Sequence, residues 1–106
     1  MTYQLSEIPT SARPQTMNVQ MADRIWKLRL TWNDQMGLWI FDFLDEAGTP
    51  VLMGHPVVTG VDLLAQAQHL GFNGSLIAQT DGDPDQPPSF LNLGTLGHLY
   101  FATEQA

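Results

Sequence analysis

The densest run of ligand-type side chains in this sequence is Asp81-Gly82-Asp83-Pro84-Asp85. Carboxylates at alternate positions of a loop can converge on a hard cation such as calcium. A helix-loop-helix calcium site wants glycine at its sixth position and glutamate at its twelfth. Counted from Asp81, those positions hold Gln86 and Asn92, and no helix pair flanks the run. The run therefore reads as a proline-set surface turn whose aspartates bond back to nearby backbone N–H groups. Asp81, Asp83 and Asp85 remain the calcium candidates.

The three histidines, His55, His69 and His98, stand in unrelated contexts. None belongs to a His-x-x-x-His or His-x-Glu pattern, so zinc binding would need convergence that the spacing does not announce. They read as turn, helix-end and strand residues, and His69 would favour the end of a helix if charged. Ser6, Ser11, Ser75 and Ser89 lie in no nucleophile elbow, and there is no phosphate loop or dinucleotide fingerprint. The expectation is a non-enzymatic protein with no catalytic residue, metal or cofactor. Trp26, Trp32 and Trp39 could form a stacking platform for sugars or bases. Their alternation with leucine argues for a core, because so long an exposed apolar stripe would aggregate. Arg24, Lys27 and Arg29, three of the four basic residues, read as neutralising Asp23 and Asp42.

These residues depend on an aromatic β-hairpin over 25–44. In Ile25-Trp26-Lys27-Leu28-Arg29-Leu30-Thr31-Trp32-Asn33, Trp26, Leu28, Leu30 and Trp32 share one face. In Leu38-Trp39-Ile40-Phe41-Asp42-Phe43-Leu44, Trp39, Phe41 and Phe43 do the same. A four-residue loop, Asp34-Gln35-Met36-Gly37, pairs Asn33 with Leu38. Trp32 then faces Trp39, Leu30 faces Phe41, Leu28 faces Phe43, and Arg29 meets Asp42 on the reverse side. A slip of one residue would set Arg29 against an aromatic ring.

Around the hairpin, strands are expected at 3–8 (an edge ending at Pro9), 16–21, 75–80 and 99–103. Residues 51–58 form a further strand, bent or bulged at Gly54 and Pro56. One short helix is expected near 61–70, with Thr59 in its cap region and Gly71 as its stop. Residues 81–89 cannot form regular structure. The fold class is all-β, mainly antiparallel: a small barrel or sandwich of about six or seven strands with one short helix, as a single domain over 1–106.

Composition narrows the functions. With 106 residues, a net charge of -7 and only 14% charged residues, the chain would be repelled by phosphate backbones and anionic lipids. No nucleic-acid or membrane partner is expected. The absence of cysteine removes disulfides, thiolate metal sites and cysteine nucleophiles. No apolar run is long enough to span a membrane, and no secretory signal is visible at the N-terminus. The expected location is the cytoplasm of the producing cell.

Five segments occur in a familiar order: Leu28-Arg29-Leu30-Thr31-Trp32-Asn33-Asp34, Val58-Thr59-Gly60-Val61-Asp62-Leu63-Leu64, Thr80-Asp81-Gly82-Asp83-Pro84-Asp85 with Pro87-Pro88, Asn92-Leu93-Gly94, and Leu99-Tyr100-Phe101. Together they resemble the baseplate plug family of tailed bacteriophages, small proteins of contractile-tail gene clusters. The resemblance runs from about residue 4 to residue 103. It implies a structural virion protein at the central, distal end of the tail, assembled in the bacterial host cytoplasm. Its partners would be the baseplate hub, spike and tube-end proteins, with self-association as a homo-oligomer open to it. The resemblance implies no catalysis and no cofactor, and it carries over no functional residue. The competing reading is a small ligand-binding β-barrel for calcium or carbohydrate, using the 81–85 loop or the tryptophan face. A small hydrolase is a third reading, which the missing motifs disfavour.

Overall fold

Alternation in the central hairpin is realised residue for residue. The computed structural model describes residues 2–21, 24–65, 74–83 and 85–105, and the side chains of all of these but 2–5, 21 and 103–105. Seven antiparallel strands follow in chain order: β1 (Thr2–Ile8), β2 (Gln15–Met21), β3 (Arg24–Asn33), β4 (Leu38–Leu44), β5 (Pro50–Pro56), β6 (Ser75–Thr80) and β7 (Gly97–Gln105). They form a four-stranded sheet, β2-β3-β4-β5, and a three-stranded sheet, β1-β7-β6. The architecture is sandwich-like, so the barrel alternative falls away.

The β3–β4 register is the expected one. Trp32 pairs with Trp39, Leu30 with Phe41, Leu28 with Phe43, Arg29 with Asp42 and Asn33 with Leu38. The loop closes with Gly37 N–H donating to Asn33 O (2.8 Å) and Met36 N–H to Asn33 Oδ1 (3.0 Å). Trp26, Leu28 and Leu30 from β3 and Trp39, Phe41 and Phe43 from β4 are buried. Against them pack Leu76 and Ala78 from β6, Leu99 and Phe101 from β7, Ile8 from β1, and Val57, Leu64 and Leu93 from the connections. The inward rings meet edge to face, Trp26 on Phe43 at 6.4 Å and Trp32 on Trp39 at 5.5 Å between centroids, the arrangement that ring quadrupoles favour.

On the reverse face of the same hairpin sits a buried charge. Asp42, 7% exposed, accepts from Arg29 Nε at 2.9 Å and from the backbone N–H of Gly54 at 2.6 Å. The second bond exists because β5 is bulged. Phe41 pairs with His55 and Phe43 with Leu52, so Met53 and Gly54 together stand opposite Asp42. Gly54 takes a φ of +73° there, a conformation that costs other residues strain. The bend expected at Gly54 is thus a bulge that aims a donor at a carboxylate.

Of the short helix expected near 61–70, residues 66–70 and the stop Gly71 lie outside the described residues, and 61–64 form a bend and a turn ahead of them. Thr59 is not a cap: it bridges to Ala78. Asp62 does the capping, its Oδ1 accepting from Leu64 N–H (2.9 Å) and Leu76 N–H (3.1 Å). With Leu63 N–H donating to Leu76 O at 2.8 Å, residues 59–63 line the outer edge of β6. Ahead of the leucines, an aspartate thus satisfies a strand edge.

Truncating Trp39 to alanine should cost about 3–5 kcal/mol, since it deletes a fully buried ring that its neighbours cannot refill. Urea unfolding of wild type and variant measures it. A cost typical of a surface residue would show that the paired-tryptophan face is not the core.

Candidate functional site

The strand order brings three connections to one end of the sandwich. They are the β1–β2 loop (9–14), the β3–β4 loop (34–37) and the long β6–β7 connection (81–96). The last is irregular, as its composition requires, yet it is closely held. Pro88 and Leu93 are buried. Thr80 Oγ1 donates to Gln86 O at 2.7 Å and Ser89 N–H to Asn92 Oδ1 at 2.7 Å. Asn92 O takes the N–H groups of Thr95 and Gly97, both at 2.9 Å. Trp39 Nε1 reaches across to donate to Ser89 O at 2.9 Å, which ties the connection to the core. Gly94, at φ +92°, lies so close to Thr10 O of the β1–β2 loop that no Cβ would fit.

The three aspartates of this connection are exposed. Asp81 does not fold back onto its own loop. Its Oδ2 accepts from His98 Nε2 at 2.8 Å, while His98 Nδ1 donates to Glu7 Oε2 at 2.8 Å. His98 thereby joins β7, the edge strand β1 and the start of the long connection. A neutral imidazole carries one N–H and cannot donate from both nitrogens. Two carboxylate oxygens at this distance therefore call for the doubly protonated ring. The His98 pKa is raised, first by the hydrogen bond to Glu7, then by that to Asp81; burial works against this, and the charges of Asp81 and Glu7 add to it. Tyr100 beside it is raised as well, by burial and then by the same two carboxylates. Asp83 contributes backbone bonds to the turn, its N–H donating to Thr80 O and its O accepting from Gln86 N–H, both at 3.2 Å.

The other sequence candidates are placed apart from this node. His55 lies against Phe41, 5.7 Å between ring centroids, and His69 lies outside the described residues. Trp26 and Trp39 are core, so the tryptophan face is no sugar platform; Trp32 is half-buried, and Phe90 covers it. Arg29 pairs with Asp42, Arg24 sits over the Trp26 ring at 4.3 Å, and Asp23 lies outside the described residues. Among the described residues no three His, Asp or Glu are grouped so as to hold a metal ion. A depression of about 660 Å³ at the far end, lined by Arg24, Ile25, Asp45, Glu46 and Ala47, is open to solvent. The Glu7–His98–Asp81 node escaped sequence reasoning because its members are 91 and 17 residues apart. Knowing that Glu7 pairs with Tyr100 would have found it.

The fold is an antiparallel sandwich with a salt-linked strand edge and a pinned loop, and its aromatic face is spent on the core. The chain belongs to the family described as cyanophage baseplate Pam3 plug gp18, which it matches over residues 5–104. No curated protein matches it. The family gives the chain a structural role in a phage baseplate, hence a place in the virion tail.

His98 makes stability depend on pH with a defined sign. Its folded pKa lies above the unfolded value of 6.5, so its contribution is whole below pH 6.5 and is lost as pH rises through the raised folded pKa. Tm should fall as pH rises above 6.5 and through the raised folded pKa, and His98→Gln should flatten that fall. Identical pH profiles for the two proteins would rule the linkage out.

Proposed function

We propose that this protein is a non-enzymatic component of a contractile-tail baseplate, packed near the central hub and the end of the tube. It is held there by protein–protein contacts with hub, spike and tube-end proteins and with copies of itself. The chain acts as a single domain over 1–106, and the baseplate is put together in the cytoplasm of the bacterial host. The observation that carries this reading is the family match across residues 5–104.

The fold's distribution of open edges supports it. β5 carries Pro50, the Gly54 bulge and Pro56, devices that discourage further strand pairing. The outer edge of β6 is lined by residues 59–63. Among the described residues β1 and β2 are the other strands at sheet edges, and with the loops they offer surfaces to neighbours. Sparse charge suits a surface that is covered on assembly, because each uncompensated charge would have to be desolvated.

Co-expression with the hub and spike proteins of the same gene cluster should give a complex that survives purification. Particles made without the gene should have defective or unsealed baseplates. Complete, infectious particles lacking the protein would refute the role.

We further propose that Asp81, Asp83 and Asp85 serve the turn and bind calcium weakly or not at all. Asp81 supports this through its bond to His98. Millimolar calcium should leave Tm unchanged. A saturable rise in Tm, as mass action demands of a ligand selective for the folded state, would return the ligand-binding reading to favour.

A further inference from the structure

The loop end of the sandwich carries apolar side chains that nothing in the fold requires to be exposed. Leu91 is 80% exposed, Leu96 54%, Met36 53% and Phe90 37%. They are not the tips of a slack loop. Phe90 stacks on the buried Trp39 at 5.7 Å, nearly parallel at 20°, and leans on Trp32 at 5.4 Å. Leu91 and Leu96 flank the buried Leu93 and the Asn92 hydrogen bonds that fix this stretch. The connection thus presents its apolar side chains from a backbone already held in place, which lowers the ordering cost of binding.

The surroundings of this patch have one dominant sign. Trp32, against which Phe90 lies, donates from Nε1 to Asp34 Oδ1 at 2.6 Å. Asp81 N–H bonds to Leu96 O at 2.7 Å. Residues 34–37 and 81–96 contain Asp34, Asp81, Asp83 and Asp85 and no lysine or arginine. Arg13, in the β1–β2 loop, and the charged ring of His98, which is spent on Glu7 and Asp81, are the basic groups at this end, while Arg24, Lys27 and Arg29 stand on β3. An exposed apolar cluster rimmed by polar charge marks an interaction surface. Its charge selects against a second copy, which would bring the same aspartates, and for a basic rim.

We propose that Phe90, Leu91 and Leu96, with Met36 of the β3–β4 loop at the same end of the sandwich, form a knob that seats in an apolar socket of a neighbouring baseplate protein whose rim carries lysine or arginine. This rests on the baseplate reading and adds to it the surface and the chemistry of the partner. Leu91 is the centre of the contact, Phe90 is its rigid support, and the aspartates steer and orient the encounter.

The test is complementation of phage lacking the gene, counting copies of the protein per purified particle by quantitative mass spectrometry. Leu91→Asp, at a position exposed enough to leave folding intact, should lower incorporation by about tenfold or more, as expected for a contact at an interface centre. Leu96→Asp provides a second, independent variant, with Tm confirming that each folds. Asp83→Lys with Asp85→Lys should lower incorporation by about threefold through charge reversal at the rim. Ile25→Asp, exposed at the opposite end of β3, should be incorporated as wild type. Normal incorporation of folded Leu91→Asp and Leu96→Asp would overturn the knob and leave the baseplate role standing. Equal loss with Ile25→Asp would overturn it too. Absence of the wild-type protein from particles would instead defeat the baseplate role itself, and the knob with it. A wild-type dimer by sedimentation that Leu91→Asp dissociates would replace the basic partner with a second copy.

Discussion

Everything in this sandwich hangs on which way β3 and β4 face. The inward side of that hairpin supplies Trp26, Leu28, Leu30, Trp39, Phe41 and Phe43 to the core, and the smaller sheet sets Ile8, Leu76, Ala78, Leu99 and Phe101 against them. Because side chains alternate with a period of two, moving either strand by one residue would turn the whole set outward. The reverse face enforces the same choice by charge: Arg29 meets Asp42, and Asp42 in turn holds Gly54. Register, core and the β5 bulge are thus consequences of one pairing.

With few charges available, the fold places them at joints. Asp42 ties β4 to β3 and β5; Asp62 ties the 59–64 segment to β6; His98 ties β7 to β1 and to the long connection. Asp42 and Asp62 satisfy backbone N–H groups, and Glu7 and Asp81 satisfy the ring nitrogens of His98; an unmet hydrogen bond in a poorly solvated place costs more than a met one gains. A low charge count therefore does not mean a loosely determined structure. It leaves a surface that can be covered at little desolvation cost, as a baseplate component needs.

The loop end shows how the same core serves assembly. Trp39 is fully buried, yet its indole N–H reaches Ser89 O and its face carries Phe90. The residue that anchors the hairpin thus also fixes the connection that displays Leu91 and Leu96. Rigid display of exposed apolar groups is what separates a docking element from a solvent-swollen loop, since the entropy of ordering has already been spent in folding.

Local pattern alone determined the hairpin and its loop, the strands at 75–80 and 16–21, the bulge near Gly54 and the burial of Trp26 and Trp39, because these follow from two-residue periodicity and turn chemistry among close neighbours. The order of five segments pointed to the baseplate plug family, and the match over 5–104 bears that out. Tertiary structure decided the rest. Two sheets rather than a barrel depend on β1 pairing with β7 across the length of the chain, a contact with no local signal. Asp62 became a cap and strand-edge ligand because β6 arrived beside it, which the leucine spacing after it could not convey. Asp81 turned to His98, not to its own loop, because strand pairing set Glu7 and Asp81 on either side of one imidazole. No local signal separates Leu91 and Leu96 from Leu93; the tertiary structure buries Leu93 and leaves the other two exposed.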